Sequence, residues 1–201
     1  MIVIGITGPT GSGKTTALNE LSALGGCSLD ADAMYHQLLE SSLALRSELE
    51  SRFGFMTDET GRFDRKKLGA VVFQDPGALA DLNAITHRYM EIEIRARLTR
   101  AEQEGYPAAA IDAIRLFESG AAELCDVTLA ITAPPQTRIR RIMVREGISA
   151  EYARARVAAQ QSDDFYKEAC DYVLINNCAN REEFGARARA LFELILRRGK
   201  Q

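Results

Sequence analysis

Short unbroken apolar runs recur near both ends of this chain, and a long stretch with helical spacing separates them. "IVIGI" at residues 2–6 reads as a buried strand, and residues 14–24, after a glycine-rich turn, read as a helix. "CSLDAD" (27–32) is a second short strand with acidic residues at its C-terminal end. "AAAIDAI" (108–114) and "VTLAIT" (127–132) are continuously apolar, as strands covered on both faces are, and "DYVLIN" (171–176) supplies a fifth.

From residue 33 to 103 the spacing is helical. Leu45, Leu49 and Phe53 keep one stripe and Met90, Ile94 and Leu98 another, with breaks at "FGFMTDETGRFD" and Pro76-Gly77. Behind Pro134 and Pro135 the pattern predicts a helix over 136–146, ending at Gly147, then another from Ser149 to 161. The last helix carries Phe184, Ala188, Leu191 and Ile195 on one packing stripe. Strands alternating with helices predict an α/β fold with a doubly wound parallel sheet of about five strands. Residues 33–105 then stand apart as a helical insertion suited to holding a substrate, with 1–32 and 106–201 forming the core.

The 201 residues are 46% hydrophobic and 26% charged, enough to build a core without disulfides or metal. A net charge of −3 argues against broad affinity for nucleic acid, so an anionic ligand must be met by locally placed cations. Cys27, Cys125, Cys170 and Cys178 are scattered, and His36 and His87 are the only histidines. That spacing fits neither a zinc site nor a disulfide framework and predicts reduced thiols in a cytoplasmic protein. "MIVIGI" lacks the basic start and cleavage site of a signal peptide, and no run is long enough for a membrane span. Nothing in the pattern specifies an oligomeric state.

The chemistry begins at "GPTGSGKTT" (8–16), which is Gly-x-x-x-x-Gly-Lys-Thr between a strand and a helix. Gly8, Gly11 and Gly13 let the backbone fold closely around phosphate oxygens, so that several N–H groups converge on them, and Ser12 and Thr16 belong to the same nucleotide-binding stretch. The following helix adds its positive end. Lys14 can reach the β- and γ-phosphates of a nucleotide, and the Thr15 hydroxyl can ligate Mg²⁺. A nucleotide grip does not say what is done with the nucleotide.

Asp30 and Asp32 follow the second strand, whose C-terminal end should face the same crevice as the glycine loop. Such a carboxylate can orient an acceptor hydroxyl and take its proton, or support Mg²⁺. Alternatively, the pair simply caps and opens the next helix. Asp112 and Glu118 bracket the end of the third strand and pose the same choice, with Asp112 able to hold Mg²⁺ through water.

The ordered segments "GITGPTGSGKTT", "LGGCSLDADAMYHQLLE", "GRFDRKKLGAVVFQDP", "LNAITH", "LFESG", "RIMVREGISAEYARARVAAQ" and "DYVLIN" resemble the dephospho-CoA kinase family, from Ile2 to Asn176. The glycine loop is shared with many NTPases; the Asp-Ala-Asp placement and the Arg-x-x-x-Arg-Glu-Gly segment are far more specific. The resemblance implies a P-loop kinase with a helical CoA-binding insertion and a helical lid at about 138–170. It implies ATP and Mg²⁺ as cofactors, dephospho-CoA as the small-molecule partner, and transfer to its ribose 3′-hydroxyl. It places Asp32 at the acceptor hydroxyl, His87 on the substrate side, and Arg141 and Arg145 against the transferring phosphoryl group. Arg141 and Arg145 are four apart and share a helix face, where guanidinium groups suit phosphate oxygens. Arg140, Arg154 and Arg156 read as surface residues.

Three departures from the family pattern bear on the acceptor pocket and the lid. Arg88 follows His87 where proline is usual, Ile114-Arg115-Leu116 stands for Pro-Leu-Leu, and Tyr166 takes a position that is often basic. They keep two other readings in view: a related kinase acting on another hydroxyl, and an ATP-binding protein without turnover.

Overall fold

The reason for the five apolar runs is a single sheet. In the computed structural model, which describes residues 1–198, β1 (Ile2–Thr7), β2 (Cys27–Asp30), β3 (Ala108–Asp112), β4 (Val127–Thr132) and β5 (Tyr172–Ile175) lie in the order β2-β3-β1-β4-β5. The sheet is parallel. Strand β1 is central, with Gly5 opposite Ile111 on one side and Ile6 opposite Leu129 on the other, and β4 pairs onward with β5. A parallel sheet must be crossed over by helices, which is why its strands are apolar on both faces.

Helices α1 (Lys14–Ala23) and α9 (Arg181–Arg198) cover one such face. Ile4, Ile6, Ala108, Ala110, Leu129 and Ile131 pack there against Leu21, Phe184, Phe192 and Ile195. Each fully buried side chain of Phe size is worth about 1.5–3 kcal/mol over exposure, so Phe184 and Phe192 anchor α9. The predicted stripe on the last helix is this packing surface.

The chain divides into two compact units, one of Met1–Leu29 with the chain from Arg100 onward and one of Asp30–Thr99. The second holds α2 (Ala31–Ser41), α3 (Leu43–Phe53), α4 (Arg65–Val72) and the start of α5 (Pro76–Gln103). Its own core joins Leu39, Leu45, Leu49, Met56, Phe63, Leu68 and Val72. Side chains start its helices: Asp30 accepts from the Ala33 N–H, Ser42 from Leu45, and Asp64 from both Lys66 and Lys67. The expected break over 53–64 is a tight turn, in which Asp58 Oδ1 accepts from the N–H groups of Thr60 and Arg62.

In the first unit, α6 (Pro135–Glu146), α7 (Ala150–Ala158) and α8 (Asp163–Ala169) separate β4 from β5. Ile139, Ile142 and Ala153 join α6 to α7. The helix expected over 149–161 ends at Ala158, and α8 follows it as a separate helix. Ser162 starts α8, because its hydroxyl accepts from the Phe165 N–H at 3.2 Å.

Candidate active site

The glycine loop connects β1 to α1, and two of its glycines are required by space. Gly8 has φ +135°, and a Cβ there would lie 2.1 Å from the Ile131 carbonyl oxygen. Gly13 has φ +110°, and its Cβ would lie 2.5 Å from Asn176 Nδ2. Gly13 is also the N-cap of α1 and offers no side chain to the first turn. The Thr16 N–H turns back to the Gly13 carbonyl at 3.0 Å, and the positive end of α1 receives no side-chain cap, which leaves it for a ligand.

The carbonyls of this loop are tied to protein donors. Lys14 Nζ donates to the Gly8 carbonyl at 3.3 Å, and the Ser12 N–H to Pro9 at 3.2 Å. Arg138 Nε donates to the Thr10 carbonyl at 3.2 Å. Arg141 Nη1 reaches the carbonyls of Gly11 and Ser12 at 3.1 and 3.2 Å, and Asn176 Nδ2 reaches Ser12 at 2.7 Å. With the negative ends of five consecutive peptide groups engaged, the loop is a better host for an anion than for a cation.

A cleft of about 520 Å³ opens beside it, within the range of ordinary small-ligand sites. Gly13, Lys14 and Thr15 line it together with Arg140, Arg141 and Arg145. Burial pushes the Arg141 pKa down, with the Arg140 charge adding to the effect. Arg145 is exposed and paired with Glu146 at 2.6 Å, and Glu146 also accepts from Arg156. Hydrogen bonds from these two arginines, Arg145 foremost, hold the Glu146 carboxyl below its usual range. Arg140, read from sequence as a surface residue, lines the cleft. Lys14 Nζ also stands 3.9 Å from Asp112 Oδ1, so the end of β3 does reach the glycine loop.

A lysine and four arginines, Arg140, Arg141, Arg145 and Arg181, make this an anion-directed cleft, and the chain's relatives narrow its chemistry. The family model for dephospho-CoA kinase matches residues 2–182. The chain belongs to the dephospho-CoA kinase family. A dephospho-CoA kinase of Anaeromyxobacter dehalogenans is 36% identical over the whole of this chain and 96% of its own length. Among solved structures, TT1252 from Thermus thermophilus is similar with a TM-score of 0.78 at 33% identity, covering 96% of this chain and 97% of its own. Dephospho-CoA kinase from Campylobacter jejuni gives 0.71 at 25% identity, covering 99% and 98%.

Asp30, Asp32, His87 and Arg88 belong to the unit Asp30–Thr99, and the glycine loop belongs to the other unit. Asp30 is the cap of α2, its carboxylate bound to the Ala33 N–H at 2.9 Å, so the capping reading applies to it. Asp32 is exposed in the first turn of α2, where its charge also suits the helix end. His87 is half-buried on α5. Arg88 donates to Glu48, which also accepts from the Tyr89 hydroxyl at 3.0 Å, and its guanidinium lies 5.3 Å from the Tyr89 ring centre. This departure from the family pattern has a structural role inside its own unit.

The residues of the other two departures lie in the first unit. Ile114 lines the cleft and accepts from the Thr7 hydroxyl through its carbonyl, whereas Arg115 is exposed and is not part of the lining. Tyr166 is buried in the base of α8 in edge contact with Phe165. Burial pushes its hydroxyl up to about 12 against the lowering effect of Arg138. Glu118 accepts from Gln161 Nε2 at 3.4 Å.

Three residues that hold the loop went unread in the sequence: Arg138, Gln160 and Asn176. Arg138 had a usable signal, since it precedes Arg141 by one helical turn and shares its face. Gln160 and Asn176 had none, because their partners are remote in sequence.

Proposed function

We propose that this chain transfers the γ-phosphoryl group of ATP to the ribose 3′-hydroxyl of dephospho-CoA, giving coenzyme A and ADP. The observation that carries the reading is the convergence of Lys14, Arg140, Arg141 and Arg145 on the open N-terminus of α1. It occurs in a chain whose full-length relatives are dephospho-CoA kinases.

The loop residues Gly8, Gly11, Ser12, Gly13, Lys14, Thr15 and Thr16 take the donor phosphates. Lys14 and Arg141 neutralise charge that builds on the transferring group, and Arg145 adds to it once released from Glu146. Asp32 accepts the proton of the acceptor hydroxyl, and His87 lies on the acceptor side. Among the described residues no three His, Cys, Asp or Glu side chains are grouped to hold a metal. Thr15 and Asp112, with the nucleotide's own phosphates, are the donor set that fits Mg²⁺, a hard cation satisfied by few protein oxygens. Bound there, Mg²⁺ would supply further charge neutralisation at the β- and γ-phosphates.

No helix among the described residues is long and apolar enough to cross a membrane. With reduced thiols expected, we assign the enzyme to the cytoplasm. Release of ADP by the purified chain, with dephospho-CoA compared against nucleosides, nucleotides and sugar alcohols, tests the assignment. Stimulation by dephospho-CoA above the ATP-only rate supports it; stronger stimulation by another acceptor would move the chain to a different substrate.

A further inference from the structure

Thr10, the middle residue of the glycine loop, has every polar group engaged by two side chains from far along the chain. Its N–H donates to Gln160 Oε1 at 3.1 Å, and its hydroxyl accepts from Gln160 Nε2 at 2.8 Å. Its carbonyl accepts from Arg138 Nε. Arg138 Nη2 donates in turn to Gln160 Oε1, which closes the set. Gln160 lies in the short link between α7 and α8, and Arg138 in the first turns of α6.

The arrangement has two consequences. Arg138 is 4% exposed and its guanidinium is spent on Thr10 and Gln160, so it does not line the cleft as its neighbours Arg140 and Arg141 do. The Thr10 N–H points at Gln160 and is withheld from any phosphate. The direction of the peptide groups that follow, at Gly11, Ser12 and Gly13, then depends on where Gln160 holds Thr10. Glycines on either side of Ser12 give that stretch the freedom to take other conformations, so a constraint at Thr10 has work to do.

We infer that Gln160 is a positioning residue for nucleotide binding, holding Thr10 so that the glycine loop is set for the donor phosphates before they arrive. It touches no substrate and acts through Thr10. An amide is suited to this, because it can accept from the backbone N–H and donate to the hydroxyl of the same residue. The inference rests on ATP being the donor.

The test is Gln160→Met, which keeps length and loses both hydrogen bonds to Thr10 and the one from Arg138, beside Thr10→Val, which loses only the hydroxyl. Wild-type turnover with ATP and dephospho-CoA is measured first, which checks the donor assignment independently. For Gln160→Met the expectation is a KM for ATP raised about tenfold, as the loss of one to two net hydrogen bonds implies. The KM for dephospho-CoA should stay within about twofold of wild type, where side-chain hydrogen bonds remote from the acceptor have no direct effect. Thr10→Val should shift the ATP KM in the same direction by a smaller factor. An unchanged ATP KM in Gln160→Met, or equal changes in both KM values, overturns the inference. So does loss of the thermal unfolding transition in both variants, which would assign the cluster to stability alone.

Discussion

Asn176, just past β5, donates through Nδ2 to the carbonyl of Ser12 at 2.7 Å. The two lie 164 positions apart in sequence, and this bond ties the far end of the sheet to the glycine loop. Asn176 is buried, and the same Nδ2 is the atom that a side chain at Gly13 would strike. Asn176→Ala should cost about 1–2 kcal/mol of stability, the usual cost of stripping a buried hydrogen bond of one partner. It should also raise the KM for ATP, since Ser12 would keep only Arg141. Urea unfolding beside ATP titration reads both; a stable variant with unchanged ATP affinity would remove Asn176 from the grip.

Asp32→Asn tests the division of labour between the two ends of the reaction. The carboxylate is assigned to the acceptor proton, and the amide cannot accept that proton. We expect kcat to fall by about 10²–10⁴, the usual worth of a positioned general base. ATP affinity, read by fluorescence titration of the unreacted complex, should change little. An unchanged kcat would leave Asp32 as a helix-end charge and nothing more.

Alkaline stability should report on Cys125. Its thiol is pushed up to about 12 from the ordinary value of 9.0, first by burial and then by the neighbouring Asp126 charge. Above pH 9 the unfolded chain sheds a proton that the folded chain keeps, so stability declines as pH rises from about 9 towards 12. Tyr166, at about 12, and Cys170, at about 11, act in the same direction. The urea midpoint should fall between pH 8.5 and 10.5, and less steeply in Cys125→Ala; identical slopes would contradict the assignment, with both pH values chosen to bracket the ordinary thiol range.

The sheet was readable because its strands are apolar without interruption, as burial on both faces demands. The grip was readable because Gly8, Gly13, Lys14 and Thr15 each answer a local requirement at fixed spacing. Helix α8 was hidden because it is seven residues long, polar, and buries only Tyr166 fully. Asp30 is compatible in sequence with a cap and with a site carboxylate alike, and its bond to the Ala33 N–H is what marks the cap. Gln160 and Asn176 are surrounded in sequence by nothing that marks them. Their roles come from tertiary approach to Thr10 and Ser12, which no local pattern encodes. Arg88 likewise meets its partner Glu48 from forty residues away on α3, which no local pattern marks.

The central claim is that this chain completes coenzyme A from ATP and dephospho-CoA. Its most direct test is mass-spectrometric measurement of coenzyme A formed by the purified protein, with ADP counted in the same reaction. The account predicts one coenzyme A for each ADP released in the presence of dephospho-CoA and Mg²⁺. ADP release without coenzyme A, or dephospho-CoA recovered unchanged while ATP is consumed, would contradict it.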